Sequence, residues 1–201
     1  VAEQVEVLVL GIGNLLWADE GFGVRCAEML AAEYDLSPQV LVLDGGTQGL
    51  YLLPYVQQAR RLIVFDAVDY GLPAGTLKMV EGDEVPRFMG CKKMSLHQTG
   101  FQEVISAASL TGQLPEEMLL IGVQPVELDD FGGSLRPEVK IKVAEAVGIA
   151  VERLQQWGYD VRRCAEGNAE RINNGVLSIE HYEAGRPSAD EACRVGDERF
   201  L

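Results

Sequence analysis

Apolar residues recur along this chain in two rhythms. Short unbroken runs rich in Val, Ile and Leu end at Gly, Asp or Pro, and between them apolar positions fall three and four residues apart. The runs "VEVLVLG" (5–11), "VLVLDGG" (40–46), "RLIVFDAVD" (61–69) and "EMLLIGVQP" (117–125) read as buried strands. "GTLKMVEG" (75–82) instead alternates apolar and polar residues, which predicts a half-exposed strand. Helical spacing links Val24, Ala27, Ala31 and Tyr34, and then Phe101, Val104, Ile105 and Ala108. It returns from Val139 through Val143, Ala146, Val147, Ala150 and Leu154 to Trp157, predicting one long helix. "GLYLLPYVQQA" (49–59) predicts a further helix, interrupted or started near Pro54. The stretch 84–100 carries neither rhythm and is expected to be irregular.

Strands alternating with helices predict an α/β fold, a twisted, mainly parallel sheet sandwiched between helices. With 201 residues, 47% of them apolar, the chain can build one substantial core, expected as a single domain over 1–163. From Cys164 the apolar content thins to one patch, Val176 to Ile179. The C-terminal extension 164–201 is therefore expected to be mostly irregular, with the patch available to dock on the body or on a partner. No internal repeat is evident.

Charge narrows the range of partners. Seventeen basic residues stand against 31 acidic ones, a net charge of −14, which argues against nucleic acid or an anionic membrane as partner. No apolar run reaches the length of a membrane span. The first residues, "VAEQVEV", lack a basic region followed by an apolar stretch, so no signal peptide is expected. Cys26, Cys91, Cys164 and Cys193 lie far apart without a C-x-x-C pair, which predicts plain thiols in a reduced, cytoplasmic setting.

In sheets of this kind ligands sit at the carboxyl ends of the strands. Asp19 and Glu20 follow the first strand, Asp44 ends the second and Asp66 ends the third. Gly11-Ile12-Gly13 suggests a phosphate loop, yet the third glycine of a dinucleotide fingerprint is Leu16 here. Asp44 stands 31 residues after Gly13, where that fingerprint wants an acid at about 20. Two acids beside the loop would also repel a pyrophosphate, and no Gly-Lys-Ser/Thr sequence exists. A cation removes these objections together. Asp66 is the most telling acid, because it directly follows "LIVF" and a buried carboxylate is costly unless neutralised. Asp44, ahead of Gly45-Gly46-Thr47, reads first as a turn or capping residue. A transition metal also calls for imidazole. The chain has two histidines, His97 in "KKMSLHQTG" and His181 in the extension, and spacing alone assigns neither.

Taken together, "GIGNLLWADEGFGV" (11–24), "LDGGTQGL" (43–50), "FDAVDYG" (65–71), "KKMSLHQ" (92–98) and "GVQP" (122–125) resemble the endopeptidases that mature the large subunit of nickel–iron hydrogenases. The likeness runs in order over residues 5–158, and "VLSIEHYE" (176–183) is similar to an extension of the branch serving membrane-bound uptake hydrogenases. This resemblance implies an α/β sandwich whose metal-binding and catalytic trio maps onto Glu20, Asp66 and His97. It implies a protease that cuts a short C-terminal peptide from the large-subunit precursor once nickel has been inserted. The nickel is then supplied by the precursor, and zinc or cadmium could occupy the site in vitro. Asp44, Gly45, Gly46 and Thr47 are expected to line the cleft, touching substrate or supporting the ligands. A monomer is expected, with the precursor as partner. The ion could polarise the scissile carbonyl or activate water, or one of the acids could act as general base. Two other readings are a non-catalytic nickel-sensing escort for the same precursor and a nucleotide-binding α/β domain.

Overall fold

The computed structural model of the chain describes residues 5–89, 96–164, 172–173 and 177–186, with the side chains of 87–89 and 96–99 outside the described set. Five strands form one sheet: β1 (Val7–Ile12), β3 (Val40–Gly46), β4 (Arg61–Ala67), β6 (Glu117–Val123) and β5 (Leu77–Glu81). Their spatial order is β3-β1-β4-β6-β5, parallel throughout except for the antiparallel edge strand β5. The chain leaves β1 toward β3 on one side and returns to β4 on the other. The gap between β1 and β4 is therefore the topological switch point, where α/β sheets open a crevice for ligands.

Strand alternation divides the core in two. Val7, Val9, Ile63, Phe65, Leu119 and Ile121 point to one face, covered by α1 (Phe22–Glu33) and α6 (Val143–Gln156). Leu8, Leu10, Leu62, Val64 and Leu120 point to the other, covered by α2 (Leu53–Gln58), α3 (Glu84–Met89) and α4 (Leu96–Leu110). Phe22, Phe65 and Phe101 are fully buried, and burying each such side chain stabilises the fold by about 1.5–3 kcal/mol.

The four buried runs and the half-exposed one all form strands, the last at the sheet edge, where one face and one backbone rim meet water. Differences lie between the strands. The helix expected over 49–59 begins as a 3-10 turn, Gly49–Leu52, and turns α-helical where Pro54 fits the first turn. The long helix is broken: α5 (Pro137–Lys140) is one turn, and α6 restarts at Val143. Val139 and Val143 are both buried four residues apart, so the apolar line runs straight through the break. The stretch 84–100 is not wholly irregular, since it holds α3 and the first turn of α4. Tyr34 leaves the helix and opens β2 (Tyr34–Leu36), which pairs antiparallel with β7 (Val161–Arg163). Three-residue strands are too short to show a period.

The C-terminal extension contains helix α7 (Ile179–Ala184), capped by the Ser178 hydroxyl. Glu183 accepts from Ser134 Oγ at 2.8 Å and from Lys140 Nζ at 2.9 Å, while Arg25 donates to the Leu177 carbonyl and lies over the Tyr182 ring. Its described residues thus strap across α1 and α5. The remainder of the extension, including Cys193, lies outside the described residues, as does Cys91. Cys26 is buried in the core, and desolvation pushes its thiol well up, which fits an inert packing residue.

Candidate active site

The loop after β1 is built by missing side chains. A Cβ on Gly23 would lie 2.2 Å from the Ile12 carbonyl oxygen and 2.3 Å from that of Phe65, and one on Gly11 would lie 2.4 Å from the Gly23 oxygen. The first turn of α1 therefore rests directly on the ends of β1 and β4. Gly23 does the close-packing task that the dinucleotide fingerprint gives to a glycine at the place Leu16 fills here. Gly13, at φ +135°, leaves room for the Glu20 carbonyl, which accepts from the Asn14 amide at 3.2 Å. Ala18 holds a left-handed φ of +37°, rare for a residue with a side chain, immediately before the two acids.

Asp19 and Glu20 then part company. Asp19 is wholly buried, and its carboxylate accepts three backbone amides: Val126 and Glu127 on Oδ2 at 2.8 and 2.9 Å, and Arg136 on Oδ1 at 2.7 Å. It fastens the loop after β6 to the loop after β1, so it does not face a ligand. The same junction is closed by Trp17, whose ring meets Phe131 edge-on at 5.3 Å. Glu20 is 9% exposed and sits in the 3-10 turn Ala18–Gly21, which packs against β4.

Asp66, 2% exposed, lies in β4 beside Gly122 of β6. Alternation turns its side chain to the α2/α4 face, with Leu62 and Val64. Asp44 has the opposite parity and meets the α1 side, where its Oδ2 accepts from Asn173 Nδ2 at 2.8 Å. Asn173 also donates to Glu28 of α1 at 3.0 Å. The three acidic strand ends thus share one edge of the sheet but not one face. Gly45 is buried, and a Cβ there would come within 2.7 Å of Ile12 Cδ1, while Gly46 has φ +43° and Thr47 is exposed. With Asp44 and Gly46, the strap residues Ile172 and Asn173 line an open cleft of about 740 Å³.

His97 is the second residue of α4, and its side chain lies outside the described set. Among the described residues no group of three His, Cys, Asp or Glu side chains is gathered as if for a metal ion. His181 is in α7, where Nδ1 is 3.2 Å from the Ser178 hydroxyl.

Three polar residues near Asp66 escaped sequence reasoning. Gln124 takes the Tyr70 and Leu72 amides on Oε1 at 2.7 and 3.1 Å and donates to Asp69 Oδ1 at 3.0 Å, fixing the loop after β4. Tyr70 is held by that loop, and burial, followed by the Asp66 charge, pushes its phenol up. Lys78 of β5 places its ammonium 5.1 Å from the centre of the Tyr70 ring. The only signal for Tyr70 and Gln124 was position, within "FDAVDYG" and "GVQP", and Lys78 had none beyond its place in the half-exposed strand.

The sequence matches the family model for hydrogenase maturation protease over residues 24–153. It is 58% identical over 198 residues to the hydrogenase expression/formation protein HupD of Thiocapsa roseopersicina, covering 98% of this chain and 90% of that protein. Identity to the hydrogenase expression/formation protein HoxM of Cupriavidus necator is 57% over 197 residues, covering 97% and 98%. The solved structure of the hydrogenase maturating endopeptidase HybD from E. coli matches with a TM-score of 0.75 at 34% identity, covering 81% of this chain and 99% of that one. Nearly all of this chain therefore has a counterpart in the first two relatives, and about a fifth of it has none in the E. coli structure. By sequence and by fold alike, this chain belongs to the hydrogenase maturation protease family.

Proposed function

We propose that this chain is an endopeptidase that removes a short C-terminal peptide from the nickel-loaded precursor of a nickel–iron hydrogenase large subunit. In this reading Glu20, Asp66 and His97 grip the nickel that the precursor brings. The observation that carries it is a pair of buried acids at the sheet's switch point, Glu20 beyond β1 and Asp66 in β4. Carboxylates are oxygen ligands, and two of them at one crevice suit a divalent ion. The start of α4 supports the third ligand. One turn past His97, a Cβ on Gly100 would lie 3.4 Å from Gly49 Cα, in the 3-10 turn beyond β3. The helix thus begins at the carboxyl edge of the sheet, on the face to which Asp66 points.

Such an ion supplies a Lewis acid and a mark by which a loaded precursor is told from an empty one. The chain's own residues neutralise charge, orient the scissile segment and provide the carboxylate that accepts a proton during hydrolysis. Leu16, Leu50, Tyr51, Leu72, Val126 and Phe131 are exposed on the loops that follow the strands. Apolar side chains around a polar mouth suit a protein client better than a small solute. Asp44 and Gly46 line the cleft in the neighbouring part of the same edge, and the segment Asp44, Gly45, Gly46 and Thr47 is proposed to contact the client there.

The test is incubation with nickel-loaded and nickel-free precursor, followed by mass spectrometry. Loss of the terminal peptide is expected with the loaded form alone. Glu20→Ala, Asp66→Ala and His97→Ala should each slow cleavage by about 100-fold or more while leaving the circular dichroism spectrum unchanged. Folded variants with full activity would refute the site, and binding without cleavage would make the chain an escort.

A further inference from the structure

One row of residues crosses the sheet beside the acid pair. Asp66 of β4 pairs with Gly122 of β6, and Gly122 pairs with Lys78 of β5. Paired residues on adjacent strands project to the same face, with strands about 4.8 Å apart. The middle of this row has no side chain, and Tyr70 fills the place: a Cβ on Gly122 would lie 1.9 Å from the Tyr70 hydroxyl oxygen and 2.8 Å from the ring carbon that bears it. The phenol is thus laid over Gly122, one strand spacing from Asp66 on one side and Lys78 on the other. Lys78 places its Nζ 5.1 Å from the ring centre, a cation–π contact. The Gln124 side chain, itself 7% exposed, pins the Tyr70 amide at 2.7 Å. Glycine at 122 and tyrosine at 70 therefore work as a matched pair.

We propose that Tyr70 is a positioning residue for Asp66: its hydroxyl, seated over Gly122, fixes the orientation in which the Asp66 carboxylate meets its ion. The inference rests on the proposed function in taking Asp66 as an ion ligand. A phenol is a hydrogen-bond donor across neutral pH, and a donor seated one strand spacing from a ligating carboxylate is within reach to limit the poses that carboxylate takes. Groups that support a metal ligand in this way are worth roughly 10- to 100-fold in metal affinity or activity.

The test measures two quantities in the full chain: zinc affinity by calorimetry, and kcat and KM on nickel-loaded precursor. Tyr70→Phe keeps the ring and removes the hydroxyl. It is expected to weaken zinc binding and to lower kcat, each by roughly 10-fold or more, with KM and melting temperature unchanged. Gly122→Ala should reproduce that defect by expelling the ring, and should add nothing further in a Tyr70→Ala background, where the space is already vacant. Retention of both zinc affinity and kcat by Tyr70→Phe overturns the inference, as does a loss that tracks a fall in melting temperature. Asp66→Asn separates the two levels. If it is inactive and Tyr70→Phe is fully active, only the inference fails. If Asp66→Asn binds zinc and cleaves like wild type, the site reading fails, and the inference with it.

Discussion

Asp19 and Glu20 are neighbours with opposite employments. Asp19 spends both carboxylate oxygens on the amides of Val126, Glu127 and Arg136, so its charge is consumed within the fold. Asp19→Ala would strand three part-buried donors and is expected to cost about 2–4 kcal/mol, read as a lower urea midpoint. Glu20→Ala should lower that midpoint less, so the two substitutions divide a structural acid from the proposed site acid. Glycines divide in the same way. Gly23→Ala would press a methyl group against the Ile12 and Phe65 carbonyls, costing about 1–3 kcal/mol or more and displacing the loop that carries Glu20. Gly148 of α6 has nothing within 4 Å of the added atom, and Gly148→Ala should stabilise by about 0.5–1 kcal/mol. Thermal melts of the pair check both signs.

Helix α7 packs Ile179 against the core and is otherwise held by polar contacts. No residue in it is buried, and Glu183 is its main anchor, bonded to Lys140 and Ser134. The hydrogen bond from Lys140, with a lesser one from Ser134, outweighs partial desolvation and holds the Glu183 carboxyl below the usual carboxylate range. A carboxyl depressed in the folded state lends its stability above its unfolded pKa and loses it as the pH falls through the folded one. Docking of α7 should therefore persist near neutrality and weaken in acid, below about pH 4. The anchor is about a third exposed, so its worth is about 0.2–1 kcal/mol. Hydrogen exchange over 179–184 that rises in acid before the core amides do, and Glu183→Gln that shows the same rise at pH 7, are the expected outcomes. Exchange independent of pH would show that other contacts hold the helix.

At the scale of the whole molecule, the sheet and its covering helices were legible because their apolar periods are long and their ends marked. "LIVF" before Asp66 announced both a strand and a buried acid. The break at 141–142 was invisible, since Val139 and Val143 keep one apolar line, and β2 and β7 were too short to register. Parity was harder still. Asp44 and Asp66 look equivalent as strand-end acids, and only the pairing register sends them to opposite faces. Tyr70 and Gly122 stand 52 residues apart, and nothing local to either foretells that one fills the other's vacancy.

The seating of α1 on the strand ends has one more consequence. Glu20 and Asp66 hang from backbone segments that meet carbonyl to glycine, with no cushion of side chains between them. Like the jaws of a caliper, they are carried on segments whose close approach ties a change in their spacing to a shift of α1 on the sheet. If the two acids hold an ion as proposed, its span is set when the chain folds, before a client arrives.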